Sequence, residues 1–371
     1  MIKSIPLICL ILIFVSHHSN AQESYPLPDT GISGVYEVMM GTDNASYAIR
    51  YFGEFGFTVV DSASYSRKEA EALYGVSSAL KSYRLQNGNI DSHGLLRLLV
   101  WENPVNDGIG YAQPETIGQR MSVMKTNDII RLHDIYLTAR NNGKRWLPTE
   151  PIADDLFNLN GGDKDFFSRP VLVRENAVYG EFFNHVFFQR YGYHIEGYGT
   201  IEPQTKLKTS EFTHHDFIIN ASSMKEMSYL STALGLKAEK KPELNGDWSK
   251  GPKRVFMMEP GYSHWYQGFV SPNNICGKLK FFIPNSARPD KSEKQKIGAL
   301  GITLHSFYTP KIELVYENVK EHKFLSSQIL KNEFGESSFV FTDNAGVSWQ
   351  IIEKGEIQNI PVTELKFQLT N

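Results

Sequence analysis

The sequence predicts an α+β protein in which one unit, a strand, a helix and then several strands, is written four times. Three observations predict it. A short bulky run, YEVMM from Tyr36, ends at Gly41 and is followed by Ala48, Tyr51, Phe52 and Phe55 at helical spacing. The same order restarts near Met121, near His215 and near Gly301. The spacing also repeats: 55 − 36 (Tyr36 to Phe55) and 234 − 215 (His215 to Leu234) both equal 19, and a glycine follows each time.

In the first unit Asp43 or Asn44 is placed to cap the helix and Gly56 to close it, since a left-handed closing residue costs least without a Cβ. Arg67 to Ala79 reads as a second helical patch. LKSYRLQNG and HGLLRLLVWEN, separated by turn residues, read as neighbouring strands. In the second unit MSVMKTND is a strand and cap. Ile129, Leu132, Tyr136 and Ala139 form a helical stripe, and Gly143 closes it. Its strands end in GEFFNHVFFQRYGY, where alternation puts Glu181, Phe183, His185, Phe187 and Gln189 on one face.

Residues 191–208, rich in Gly, Tyr, Thr and Pro, carry no sustained period. This places a domain boundary near residue 200. Residues 22–200 are then the first paired-module domain and 201–371 the second. The third unit opens with FTHHDFIIN. Ser223 to Glu226 fits a capping box, and Met227, Leu230 and Leu234 share a helix face. The fourth opens with GALGITLHSFYT, has Thr309 as cap and Pro310 at the first helical position, and ends in two strands around Asp343-Asn344-Ala345-Gly346.

Composition bounds the partners. The 371 residues are 41% hydrophobic and 21% charged with a formal net charge of −3. No basic patch or long like-charge run points to nucleic acid. Residues 1–21 resemble a secretory signal, with Lys3, an apolar run from Ile5 to Val15, and Ser19-Asn20-Ala21 for cleavage. The expectation is an exported chain, periplasmic or secreted, with no membrane span after cleavage. Of two cysteines, Cys9 leaves with the signal. Cys276 then has no partner for a disulfide and is expected to be inert. No Walker loop, G-x-S-x-G elbow or C-x-x-C pair is present.

YEVMMGTDNASYAIRYFGEFGF, VMKTNDIIRLHDIYLTARNNG, HDFIINASSMKEMSYLSTALGL and FVFTDNAGVSWQII resemble the vicinal oxygen chelate superfamily of glyoxalases, bleomycin-resistance proteins and extradiol dioxygenases. The resemblance implies four βαβββ modules paired into two half-open, cupped β-barrel domains. It implies a small-molecule ligand or substrate. It further implies a divalent metal such as zinc, iron or manganese, held by a first-strand His and a last-strand Glu. By the family's spacing those positions fall on Tyr36, Met121, His215, Ile302 and Gln350, so His215, Gln350 and the nearby His305 are the candidate metal ligands, with Gln350 uncharged where a Glu is expected.

The residues leave alternatives open. Glu181 and His185 are candidate catalytic groups, as an acid/base pair or as ligands; equally, Arg97 lies on the outer sheet face and Glu181 pairs with it or with solvent. Arg97, alone in an apolar strand, and Tyr36 are candidate ligand-binding residues, Arg97 gripping a carboxylate or phosphate; they are also plausible as a surface charge and a core aromatic. His264 and Trp265 either stack a ligand or fill a core. Two functions follow: small-molecule binding in a cupped sheet, and metal-dependent lyase or dioxygenase chemistry.

Overall fold

The computed structural model describes residues 26–155, 171–202, 205–239, 250–355 and 367–369. The signal, 1–21, lies outside them. Four modules are present. The first has strands Glu37–Gly41, Phe57–Tyr65, Leu80–Asn87 and Leu95–Trp101, with helices Ala45–Glu54 and Arg67–Tyr74. Asn44 Oδ1 accepts the Tyr47 amide at 2.9 Å, and Gly56 takes φ +92°, so cap and stop are as the sequence predicts.

The second module runs from strand Arg120–Thr126 through helix Ile129–Asn141 to the Leu172–Gly180 and Asn184–Tyr191 hairpin. The third runs from Thr209–Ile218 to His264–Val270 and Lys278–Pro284, the fourth from Gly301–Thr309 through helix Ile312–Glu321 to Ser337–Thr342 and Ser348–Glu353. Two local expectations change. Ser223–Ser228 is a 3-10 segment leading into a single α-turn, Tyr229–Thr232, and Ser223 Oγ bonds Asn220 instead of closing a box with Glu226. The box forms at Ser66 and Glu69. The fourth helix starts at Ile312, two residues past Pro310, with the Thr309 hydroxyl accepting the Lys311 amide.

The modules pair out of sequence order. Glu37–Gly41 lies antiparallel to Gly301–Thr309, joining modules one and four in one sheet. Arg120–Thr126 lies antiparallel to Thr209–Ile218, joining modules two and three in the other. A cut near residue 200 separates modules that share a sheet, so the expected 22–200 and 201–371 division does not describe how the sheets form. Each sheet has its modules' first strands at the centre, where a strand's backbone groups gain partners on both edges.

One face of each sheet packs inward, against the helices and toward the other sheet. Val38, Leu96 and Leu98 from one sheet and Met124, Phe187 and Phe212 from the other enclose Phe52, Leu132 and Tyr136 in a single core. A second core joins Phe217 and Phe281 to Phe307, Trp349 and Ile351 around Leu230 and Val315. Alternation along each strand sends the intervening residues to the opposite, cupped face. Among the described residues, no helix is long and apolar enough to cross a membrane.

Candidate functional site

In the sheet of modules one and four, strand parity puts Glu37, Arg97, Ser306 and Gln350 in the cup. Glu37, Arg97 and Gln350 are fully buried. The Glu37 carboxylate accepts from Arg97 Nη2, from Arg97 Nε at 3.2 Å, from Arg84 Nε at 2.6 Å and from Ser306 Oγ at 3.0 Å. Arg97 Nη1 also donates to Gln350 Oε1 at 3.0 Å and Glu333 Oε1 at 3.2 Å, and Arg84 forks onto Glu336. The Asn332–Glu336 turn folds over the cup, with Phe334 4.1 Å from the Arg84 guanidinium and 5.1 Å from that of Arg97. Burial pushes the Glu37 carboxyl up, but the two arginines more than offset it and hold it down at about 2. Every charge in this cup has a partner.

The cup of modules two and three is built from the same strand positions but is not satisfied. His214 and Asp216 point into it, with Lys280 opposite Asp216 in the parallel register. Asp216 is 4% exposed, and its Oδ1 accepts no hydrogen bond; His214 Nε2 stands 3.9 Å away. Burial pushes the Asp216 carboxyl up to about 7 against the pull of Lys280. His214 is held neutral by burial and the nearby lysines, and its Nδ1 lies 2.6 Å from the Tyr198 hydroxyl. Lys278 pairs with Glu239, which also accepts from Tyr266 at 2.8 Å. Half-buried Glu175, Tyr266, Lys278 and Lys280 complete a polar, partly open wall.

Neither cup suits the divalent metal that the resemblance implies. In the first, the Arg97 guanidinium sits inside the carboxylate set, and in the second Lys280 faces Asp216. Both side chains only donate hydrogen bonds and cannot ligate a cation.

The expected metal ligands do not converge. His215 and His305 do meet, ring centroids 4.9 Å apart, but in the layer between the sheets. Gln350 points the other way, into the first cup. It was His214, not His215, that strand register turned toward a cup, because bulges around Phe212 set the parity of the Thr209–Ile218 strand. His185 also lies in the packed layer, ringed by Tyr51, Phe52, Phe183 and Phe212, and neither ring nitrogen is hydrogen-bonded. Burial lowers both His185 and His215 to about 3.

Glu181 lies in the hairpin turn outside the strand, so alternation does not place it with His185. It pairs with Arg145 at 2.9 Å on the surface. Arg97 and Tyr36 do share the first cup, Tyr36 at its rim 5.6 Å from the Arg84 guanidinium and edge-on to Tyr308. His264 faces the second cup's apolar end, between Phe256 and Phe282, and bonds Glu115, which Arg288 also clamps. Trp265, one residue on, packs on the opposite face.

Sequence reasoning missed Asp216 and Arg120. Two small, partly open clefts lie outside the cups, and Arg120 and Gln295 line both. Arg120 is 4% exposed, has no carboxylate within ion-pair distance among the described residues, and donates only to the Ile302 carbonyl at 3.5 Å. Burial lowers it to about 10.

No family model and no curated protein matches the sequence. Solved structures do. A single-substitution variant of glyoxalase I from Zea mays superposes with a TM-score of 0.52 at 11% identity, over 86% of this chain and 93% of that one. A Bacillus subtilis protein described as a candidate dioxygenase superposes with a TM-score of 0.50 at 8% identity, over 86% and 85%. Identity this low speaks to fold. Together with four strand–helix–strands modules in two cupped sheets, it shows that the chain has the fold of the vicinal oxygen chelate superfamily.

Proposed function

We propose that this is an exported protein that binds a small organic molecule in the cup of modules two and three, with Asp216 as the group that exchanges a proton with it. The carrying observation is the unsatisfied Asp216 oxygen beside His214, in a carboxyl raised to about 7. A buried acid with an unused acceptor is costly unless a donor arrives, and a pKa near neutrality suits an acid/base group. Half-buried Lys280, beside Asp216, favours an anionic or enolisable ligand. A metal-dependent lyase or dioxygenase reading has less support, because Lys280 takes the place of a ligand.

The test is ligand-observed NMR with a set of small organic acids, aldehydes and phenols, at about pH 6 and about pH 8, on either side of the Asp216 value. Binding is expected to change across that interval, to vanish in Asp216→Asn and Lys280→Met, and to survive Glu37→Gln. Ligands that bind equally well without Asp216 contradict the reading.

A second reading rests on Arg120. A desolvated guanidinium that pairs with no described carboxylate, beside two small clefts, fits a protein that holds a small anion without turning it over. Arg120→Met would then abolish anion binding while Asp216→Asn leaves it intact.

A further inference from the structure

A third group of side chains lies apart from both cups, where the first module meets the third. His93 comes from the loop before Leu95–Trp101, Glu211 from the Thr209–Ile218 strand, and Cys276 from the turn before Lys278–Pro284. Their exposures are 5%, 1% and 0%. One nitrogen, one oxygen and one sulfur lie within 4.8 Å of one another. His93 Nε2 is 3.4 Å from Glu211 Oε1, and Cys276 Sγ is 3.9 Å from the same oxygen. His93 Nε2 makes no hydrogen bond of its own.

The groups around the three leave one donor atom free on each. Glu211 Oε2 is taken by the Thr200 amide at 2.9 Å, leaving Oε1 facing the cluster. Ser92 Oγ lies 3.0 Å from His93 Nδ1. A hydrogen bond from Nδ1 to that hydroxyl selects the tautomer whose Nε2 carries a lone pair, the support a ligating imidazole needs. The thiol donates to the Gly197 carbonyl at 3.0 Å, which puts an oxygen beside the sulfur as a fourth atom of the group.

The backbone is committed to this approach. Gly94 has φ +67°, and a Cβ there would come within 2.4 Å of the Phe212 carbonyl oxygen and 2.9 Å of Glu211 Cγ. Gly277 has φ +74°, and a Cβ would come within 2.2 Å of the Val35 amide. Both turns need glycine to bring His93 and Cys276 up to Glu211.

We propose that His93, Glu211 and Cys276 form a binding site for a single borderline-soft divalent cation of the zinc type, which staples module one to module three. Imidazole, thiolate and carboxylate together are a zinc donor set, whereas an oxygen-only set would favour magnesium or calcium. On binding, the Cys276 thiol gives up its proton to solvent as the sulfur–metal bond forms. His93 binds through its Nε2 lone pair, so any proton on that nitrogen leaves as the bond forms. The site is independent of the cup function proposed above.

The test uses the full chain, stripped with chelator and titrated with Zn²⁺ and, as a spectroscopic stand-in, Co²⁺. One equivalent is expected, with a thiolate-to-cobalt charge-transfer band, a rise in melting temperature and release of protons. Cys276→Ser is expected to lose the band, and His93→Gln to weaken binding by well over about 100-fold, more than losing a supporting hydrogen bond costs. Unchanged far-ultraviolet circular dichroism keeps those variants interpretable. A wild-type protein that takes up no metal and shows no band overturns the proposal, as does a band that persists in Cys276→Ser.

Discussion

The two cups are built from corresponding strands yet solve the same electrostatic problem differently. In the cup of modules one and four, Glu37 faces two arginines and a serine, and its charge is stabilised. In the cup of modules two and three, Asp216 faces one half-buried lysine and a neutral histidine, with an oxygen left over. A buried charge with all its partners locks a structure, whereas one that lacks them keeps its proton or awaits a ligand. The first cup is closed by its own ion pairs, and the second keeps a buried acid with an unused oxygen.

The contrast is broken most severely at Arg97. Arg97→Ala leaves Glu37 and Glu333 short of a buried partner and is expected to cost about 3–5 kcal/mol in chemical denaturation. Lys280→Ala, in the other cup, is expected to cost under about 1 kcal/mol, since Lys280 forms no ion pair with a described residue. Comparable losses in the two cups would show that they are not differently committed.

The layer between the cups sets the response to acid. His185 and His215 are neutral in the fold down to about pH 3, while in the unfolded chain they titrate near the ordinary value of about 6.5. Above that the two contribute no pH dependence. As pH falls from about 6.5 toward 3, the unfolded chain gains protons that the fold refuses, so stability drops by roughly 1.4 kcal/mol per unit for each histidine. Asp216 works in the opposite sense over about 4 to 7, because its folded form holds a proton that the unfolded form has lost. Asp216→Asn should therefore steepen the acid loss, and His215→Phe should make it shallower, in unfolding followed at a series of pH values.

The smallest effect is expected at Glu181. Its pair with Arg145 is 43% and 60% exposed, so Glu181→Gln should change stability by less than about 0.5 kcal/mol and leave ligand binding untouched. Loss of binding in that variant would return Glu181 to the site.

The repeated unit was legible because its signals are local. The Asn44 cap, the positive-φ glycines at Gly56, Gly143 and Gly235, and the apolar stripe at Ile129, Leu132 and Tyr136 each act within a few residues. The pairing of module one with four and two with three was not legible, since it depends on which first strands meet across the whole chain. The choice between His214 and His215 failed for a related reason: one bulge reverses which neighbour faces the cup. Arg97, Tyr36 and Gln350 were found together but read as open to a ligand, because the residues that satisfy Arg97, Glu333 and Glu37, come from distant turns and strands. The His93, Glu211 and Cys276 cluster left no spacing to read, because topology alone assembles it.

One paired measurement tests the difference between the cups directly: the stability of Glu37→Gln and Asp216→Asn at about pH 8. At that pH Glu37 is ionised in both states and gains from its arginines, a contribution present above its unfolded value and lost as pH falls toward about 2. Removing its charge should cost about 3 kcal/mol. Asp216 is also ionised there but is penalised by its burial, so neutral asparagine should stabilise the protein by roughly 1–2 kcal/mol. Opposite signs support one cup locked by its charges and one poised for a ligand; the same sign in both variants contradicts it.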